Sequence, residues 1–375
     1  MRKRVIILAA LLVLPLCVVL SVVAQQSLTQ GQVPKHSAPS ASATLPPAGA
    51  APSVPAGSTS TAPLASSTTL PEPAAGTNAI ITLENSPVTA PSGLFMQSDG
   101  TLIISDPFQH ALWKQEKTGH LIKLAGQPAQ GYLDGAIQKA AFESPWAVVP
   151  YLGGYAVTDM GNNAVRYIGA KEVSTIAGST VAGFADGLGI KASFDAPTGL
   201  ATDTKGCLYL SDTGNHAIRH IDTKGIVTTL AGGTAGCAVG TLQQARFREP
   251  TGLCCVGNVL YVADSGNNRI CKIENNMVTA IAGDPTKGGG FQDGTGAMAL
   301  FAHPQGLASD GTTVYVSDTG NGAIRVIREG VVSTLLHYGC GVGGLYPVSP
   351  RGIILHEGSL YIGDTFARVV FTVKL

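Results

Sequence analysis

The chain has no charge excess of either sign: over 375 residues, 24 Lys plus Arg balance 24 Asp plus Glu. Nucleic-acid binding needs a dense basic face whose phosphate contacts supply the affinity. No basic cluster occurs beyond the first few residues, so nucleic acid is not expected as a partner. Cysteine is sparse, with seven in all. One lies in the N-terminal apolar stretch; the other six, Cys207, Cys237, Cys254, Cys255, Cys271 and Cys340, are not spaced as a disulfide framework. Cys254 and Cys255 are neighbours in a strand-like run and point to opposite faces, which makes them poor candidates to bond each other. There is no Asn-x-Ser/Thr acceptor, no Gly-x-Ser-x-Gly elbow, no phosphate loop and no calcium-loop pattern.

What is present is repetition. An aspartate followed by a Gly/Asn turn recurs at Asp106, Asp159, Asp212, Asp264, Asp318 and Asp364, at intervals of 53, 53, 52, 54 and 46 residues. A short apolar run of strand type precedes each, such as Leu208-Tyr209-Leu210, and a second run follows the turn. A proline-led segment lies about 14 residues upstream, as in Pro197-Thr198-Gly199-Leu200, and a fourth run lies downstream, as in Val227-Thr228-Thr229-Leu230. Four short strands per period make one propeller blade.

The ends bear on the blade count, because a ring has to close. The last unit stops after its third strand, Val369 to Val373, while Ala79-Ile80-Ile81-Thr82-Leu83 precedes the first proline segment with nothing else to pair with. The expected fold is therefore all-β, a six-bladed propeller whose N-terminal strand completes the last blade and removes the open sheet edges. The unit Asp212-Thr213-Gly214-Asn215-His216-Ala217-Ile218-Arg219 resembles the signature of the NHL-repeat propellers. The resemblance runs from about residue 79 to the C-terminus. It weakens in blade one (Asp106-Pro107-Phe108-Gln109-His110) and blade six (Asp364-Thr365-Phe366-Ala367-Arg368), beside the closure, where end repeats are commonly atypical.

Three segments follow. In residues 1–24, Arg2, Lys3 and Arg4 precede an uncharged apolar stretch, which reads as a signal peptide or an N-terminal membrane anchor. Residues 25–78 are rich in Ser, Thr, Ala and Pro, carry no aromatic residue and cannot bury a core; they read as a disordered linker. As a coil of roughly fifty residues this linker reaches about 40 Å. Residues 79–375 are the propeller. The expected location is extracytoplasmic, anchored by the N-terminal segment or secreted, with membrane contact confined to that segment and a monomeric head.

Several suggestive motifs have plainer readings. Asp212-Thr213-Gly214 and its counterparts look like the aspartic-protease triplet but recur blade after blade, where aspartate can hydrogen-bond the backbone of the following turn. His216 and His220 have a zinc-helix spacing, yet in a strand four residues span about 13 Å and cannot share a metal. Arg166, Arg219 and Arg325 hold one repeat position and are expected to pair with carboxylates or turn carbonyls. Cys237 and Cys340 stand where other interblade loops carry Tyr132, Phe184 or Phe291, as small apolar groups.

Departures from the repeat are the better guide to a site, since sixfold structural needs are shared. The residues after each proline, Ser92, Trp146, Thr198, Thr251, Gln305 and Arg351, should ring one mouth of the central channel. Trp146 and Arg351 either face a common ligand, for which a guanidinium beside an indole suits a carboxylate, phosphate or sugar, or serve packing between blades. Blade one adds Phe108, His110 and Trp113; blade six adds His356, Phe366 and Arg368. The candidate ligand-binding residues are Trp146, Arg351, Phe108, His110, His356, Phe366 and Arg368, with no catalytic or metal-binding residue and no cofactor. The leading reading is a non-catalytic module for a protein, peptide or glycan outside the cytoplasm. A propeller enzyme of lyase or lactonase type with a channel metal is the alternative, and a sensor head relying on a separate partner protein is a third.

Overall fold

The computed structural model describes residues 79–82, 88–337 and 347–375, with side chains described from residue 88 onward. The expectations for residues 1–78, for Leu83 and for the Cys340 loop fall outside that set.

Six antiparallel sheets form, each ordered from an inner strand to an outer one. The inner strands are Leu94–Met96, Pro145–Tyr151, Pro197–Thr202, Pro250–Val256, Pro304–Ser309 and Pro350–His356. Each touches the next around a circle, and Leu94–Met96 meets both Pro145–Tyr151 and Pro350–His356, so the ring closes at six. Ala79–Thr82 supplies the outermost strand of blade six, pairing antiparallel to Val369–Thr372. The closure expected from the sequence is thus formed by backbone hydrogen bonds between the two ends of the propeller. Among the described residues no helix is long and apolar enough to cross a membrane.

Apolar alternation along the strands makes each sheet two-sided, and the core is divided into six slabs between neighbouring blades. One slab packs Ile103, Leu112, Phe142 and Val157 between blades one and two. The slab at the closure packs Leu94, Ile104 and Trp113 of blade one against Val370, with Ile354 and Tyr361 beside them. Hydroxyls stitch blades edge to edge: Thr158 Oγ1 donates to Thr198 O at 2.7 Å, Thr213 Oγ1 to Pro250 O at 2.7 Å, and Thr319 Oγ1 to Pro350 O at 2.6 Å.

The repeated aspartates and arginines explain how the interblade loops are held. In blade three, Arg219 is fully buried and donates to Asp212 Oδ2 (2.5 Å), Asp186 Oδ1 (2.8 Å), Ala185 O (2.8 Å) and Ser193 O (3.1 Å). Its guanidinium lies between Phe184 and Phe194 at 4.9 and 5.2 Å. Arg166 and Arg325 repeat the arrangement in blades two and five. Blade four has Cys271 at the arginine position and draws the guanidinium instead from Arg269, whose Nε meets Asp264 Oδ2 at 2.7 Å and whose Nη1 donates to Cys237 O. Cys271 is fully buried and Cys237 exposed, so the apolar reading of loop cysteine does not hold at 237.

The aspartates cap their own turns only at the seam. Asp106 accepts from the N–H groups of Phe108 and Gln109, and Asp364 from those of Phe366 and Ala367. In all six blades the carboxylate also accepts from the entering loop, Asp159 from Glu143 N and Asp212 from Asp195 N, both at 2.7 Å, Asp106 from Thr89 N, and Asp364 from Val348 N and Ser349 N. Burial pushes the Asp159 carboxyl up to about 6 against the pull of Arg166, and it pushes Asp212, Asp264 and Asp318 the same way.

Candidate functional site at the mouth of the central channel

Each inner strand begins at the end where the second strand stops: Pro197 pairs with Asp212, and Thr202 with Leu208. The residue after the proline therefore lies on the same face as the turn after the aspartate. Trp146, Arg351, Phe108, His110, Phe366 and Arg368 share that face. His356, at the far end of its inner strand and paired with Ser359, lies on the opposite face, about 17 Å from Arg351 along the strand.

The ring of post-proline residues is divided in its chemistry. In blades three and four the hydroxyls are spent within the fold: Thr198 meets Thr213 at 2.7 Å, and Thr251 meets Ser265 at 2.6 Å. In blades five, six and one the polar side-chain groups at this position are not. Ser92 Oγ and Arg351 Nε are buried without a hydrogen-bond partner. Gln305 also lines the channel, and its side chain makes no hydrogen bond among the described residues. Arg351 lies over the Trp146 ring with its guanidinium carbon 4.6 Å from the centroid. The two residues singled out in the sequence are thus in direct contact. Burial pushes the Arg351 pKa down while the charge of Asp364 opposes it, and a guanidinium stays protonated at neutral pH regardless.

Ser92, Trp146, Thr251, Gln305 and Arg351 line a cavity of about 150 Å³ that runs along the inner strands. Among the described lining residues, Arg351 is the single ionisable side chain. A lone cation in a channel with unused donors beside it has the electrostatics that suit an anion.

The other candidates divide. His110 does structural work: its Nδ1 accepts from Ser144 N at 3.2 Å, as His216 Nδ1 accepts from Glu249 N and Asn163 Oδ1 from Ala196 N one blade after another. A left-handed residue with a side-chain acceptor in that turn is a repeat feature, which comparison of positions 110, 163, 216 and 268 could have revealed. Phe108, Phe366 and Arg368 are exposed. The unpartnered Ser92 was legible as a ring position but not as an orphaned hydroxyl.

Sheet order, ring closure and channel define a six-bladed β-propeller. A family model for the teneurin NHL domain matches residues 155–288. NHL repeat-containing protein 2 of Bos taurus is 30% identical over 232 residues, covering 50% of this chain and 31% of that protein. The Gallus gallus protein of that name is 26% identical over 335 residues, covering 76% of this chain and 46% of its own. These matches support an NHL-repeat β-propeller family for the chain, which spans less than half the length of these curated relatives. Among solved structures, an auxiliary nutrient binding protein from Bacteroides thetaiotaomicron aligns with a TM-score of 0.57 at 15% identity, covering 76% of this chain and 69% of that one. Virginiamycin B lyase from Staphylococcus aureus aligns at 0.51 and 13%, covering 76% and 95%. These likenesses are of fold.

Proposed function

We propose that this propeller is a non-catalytic binding head, carried outside the cytoplasm on the residue 25–78 linker by the N-terminal apolar segment, and that its channel mouth takes an anionic group. The observation that carries the site reading is Arg351: a half-buried guanidinium stacked on Trp146, its Nε buried without a hydrogen-bond partner, with Ser92 Oγ unpartnered in the same ring. Desolvating a guanidinium that has the charge of Asp364 nearby but no direct ion pair costs stability, and an arriving carboxylate or phosphate would offset that cost with charge-assisted hydrogen bonds.

Titration of the full chain with acetate, succinate and inorganic phosphate, followed by tryptophan fluorescence, tests the site. There are two tryptophans, and Trp113 is buried in the seam slab, so a Trp146→Phe control assigns the signal. A saturable change in the wild type that Arg351→Gln abolishes supports the site; equal titration of both proteins removes it. Surface proteolysis of intact cells and membrane fractionation test the location. A stoichiometric zinc or calcium surviving dialysis would favour the enzyme alternative.

A further inference from the structure

Phe108 and Phe366 hold one position of the repeat, two residues after the aspartate, in the two blades that meet at the seam. Blades two to five carry glycine there, for example Gly161 and Gly214, and each of these glycines donates its N–H to a carbonyl of the entering loop at 2.8–2.9 Å. A Cβ at any of the four would collide with that loop. At the seam the entering loop still bonds the aspartate, through Thr89 N to Asp106 and through Val348 N and Ser349 N to Asp364, but its carbonyls do not take the N–H at this position, which leaves room for a side chain. In the seam blades the aspartate takes over the turn N–H, at 3.1 Å in both, and the phenyl rings stand 70% and 71% exposed. Single exposed apolar residues are ordinary; two large ones at the same position of adjacent blades, on the channel-mouth face, are a surface with a direction. Arg368, exposed in the same turn as Phe366, has no ion-pair partner among the described residues.

Resting on the anion reading of the mouth, we infer that the ligand is a polypeptide segment which inserts one carboxylate at Arg351 and lays apolar side chains on Phe108 and Phe366. The cavity of about 150 Å³ has room for about five waters, enough for a carboxylate. The turns holding the phenylalanines lie between the second and third strands, one to two strand spacings or about 5–10 Å out from the channel wall. Extended polypeptide covers that distance in two or three residues. A phenyl ring has no polar atom to satisfy a glycan hydroxyl, whereas it removes apolar side chains from water. Unpaired Arg351 and Arg368 set the sign of the partner's charge. The carboxylate comes from a chain terminus or from an Asp or Glu side chain.

Fluorescence anisotropy of the full chain tests this with two pools of labelled octapeptides whose last four positions vary among Leu, Val, Phe and Ser. One pool ends in a free carboxylate; the other is amidated and carries one internal Glu. Binding by either pool, weakened at least tenfold in Phe108→Ala/Phe366→Ala and at least tenfold in Arg351→Gln, is the expected result, and the pool that binds identifies the source of the carboxylate. Circular dichroism of the variants establishes that they fold. Small-anion titration with no peptide binding, or peptide binding indifferent to the phenylalanines, overturns the inference while leaving the anion site standing. Preference for a glucuronate-bearing oligosaccharide over both pools overturns it as well. Loss of small-anion titration in the wild type removes the site itself.

Discussion

Replacing Arg219 with methionine should cost about 3–5 kcal/mol at pH 7.5, the range for removing one partner of a buried ion pair. Methionine keeps the apolar stem between Phe184 and Phe194 but leaves Asp212, which is fully buried, without its cation. Asp212 would retain Asp195 N and Asn215 Nδ2, while the carbonyls of Ala185 and Ser193 each lose one donor. The second carboxylate, on Asp186, is half exposed, so its share is at most a few tenths of a kcal/mol. The pH dependence has a definite sign. Burial already raises the Asp212 pKa, and losing Arg219 raises it further. A folded carboxyl with a raised pKa binds a proton that the unfolded chain, titrating near pH 3.9, has released, so stability falls as pH rises through that window. Asp186 acts in the same direction: burial is outweighed by hydrogen bonds from Arg219 and Thr229, its pKa is lowered, and removing Arg219 forfeits stability present at high pH. The deficit of the variant is therefore largest above neutrality and shrinks toward pH 4.5. Urea denaturation of both proteins at pH 7.5 and 4.5 measures it, with Lys139→Met, on an exposed residue, as a control within about 0.5 kcal/mol. A loss below about 1 kcal/mol at pH 7.5, or one that grows as pH falls, would refute the reasoning.

Other consequences follow from single positions. In peptide-mapped alkylation of the native chain, exposed Cys237 should label quickly, while Cys254 and Cys271, whose thiols burial pushes up to about 12, should label on the timescale of unfolding; rapid labelling of Cys271 would contradict its burial. A chain beginning at residue 84 should melt lower and associate more than one beginning at residue 76, because the outer strand of blade six is lost and an edge exposed; identical melting and light scattering would sever the closure from stability. Gly252→Ala should destabilise by about 1–3 kcal/mol, since a Cβ would strike the Gln305 carbonyl of the next blade. An unchanged denaturation midpoint would show that the inner strands can separate.

The fold was legible because propeller geometry writes itself into local pattern: four strand-type runs per interval, a turn-forming aspartate, and an unpaired terminal strand. The site was legible in part. Trp146 and Arg351 stood out as departures at one ring position, and the ring did bring them together. Positions in a repeat can be compared in sequence, but hydrogen-bond satisfaction cannot. Ser92, Thr198 and Thr251 are small hydroxyl residues at one position, yet the two threonines are bonded and the serine is not. His356 was grouped with Arg351 by blade, although strand direction puts it on the other face. The arginine of blade four was missed because the pattern search fixed its position at 271, while the structure requires only that a guanidinium reach Asp264.

That last case shows what selects the departures at the seam. In blades two to five the loop from the preceding blade packs onto the turn after the aspartate, its carbonyls taking the turn N–H and the guanidinium, and this contact demands a glycine and an arginine. Blade four satisfies the demand by moving the guanidinium two residues. Blades one and six keep the loop-to-aspartate bonds but not the rest: their aspartates also take the N–H groups of their own turns, Trp113 and Phe371 stand where the arginine would be, and phenylalanine replaces glycine. Closing a ring with the two ends of one chain thus frees adjacent turns from a constraint that binds the other four. Those turns share a face with the one unpaired guanidinium of the channel. A ligand site at the seam needs no change in the repeating blades, which is why the residues that break the repeat are the ones to test first.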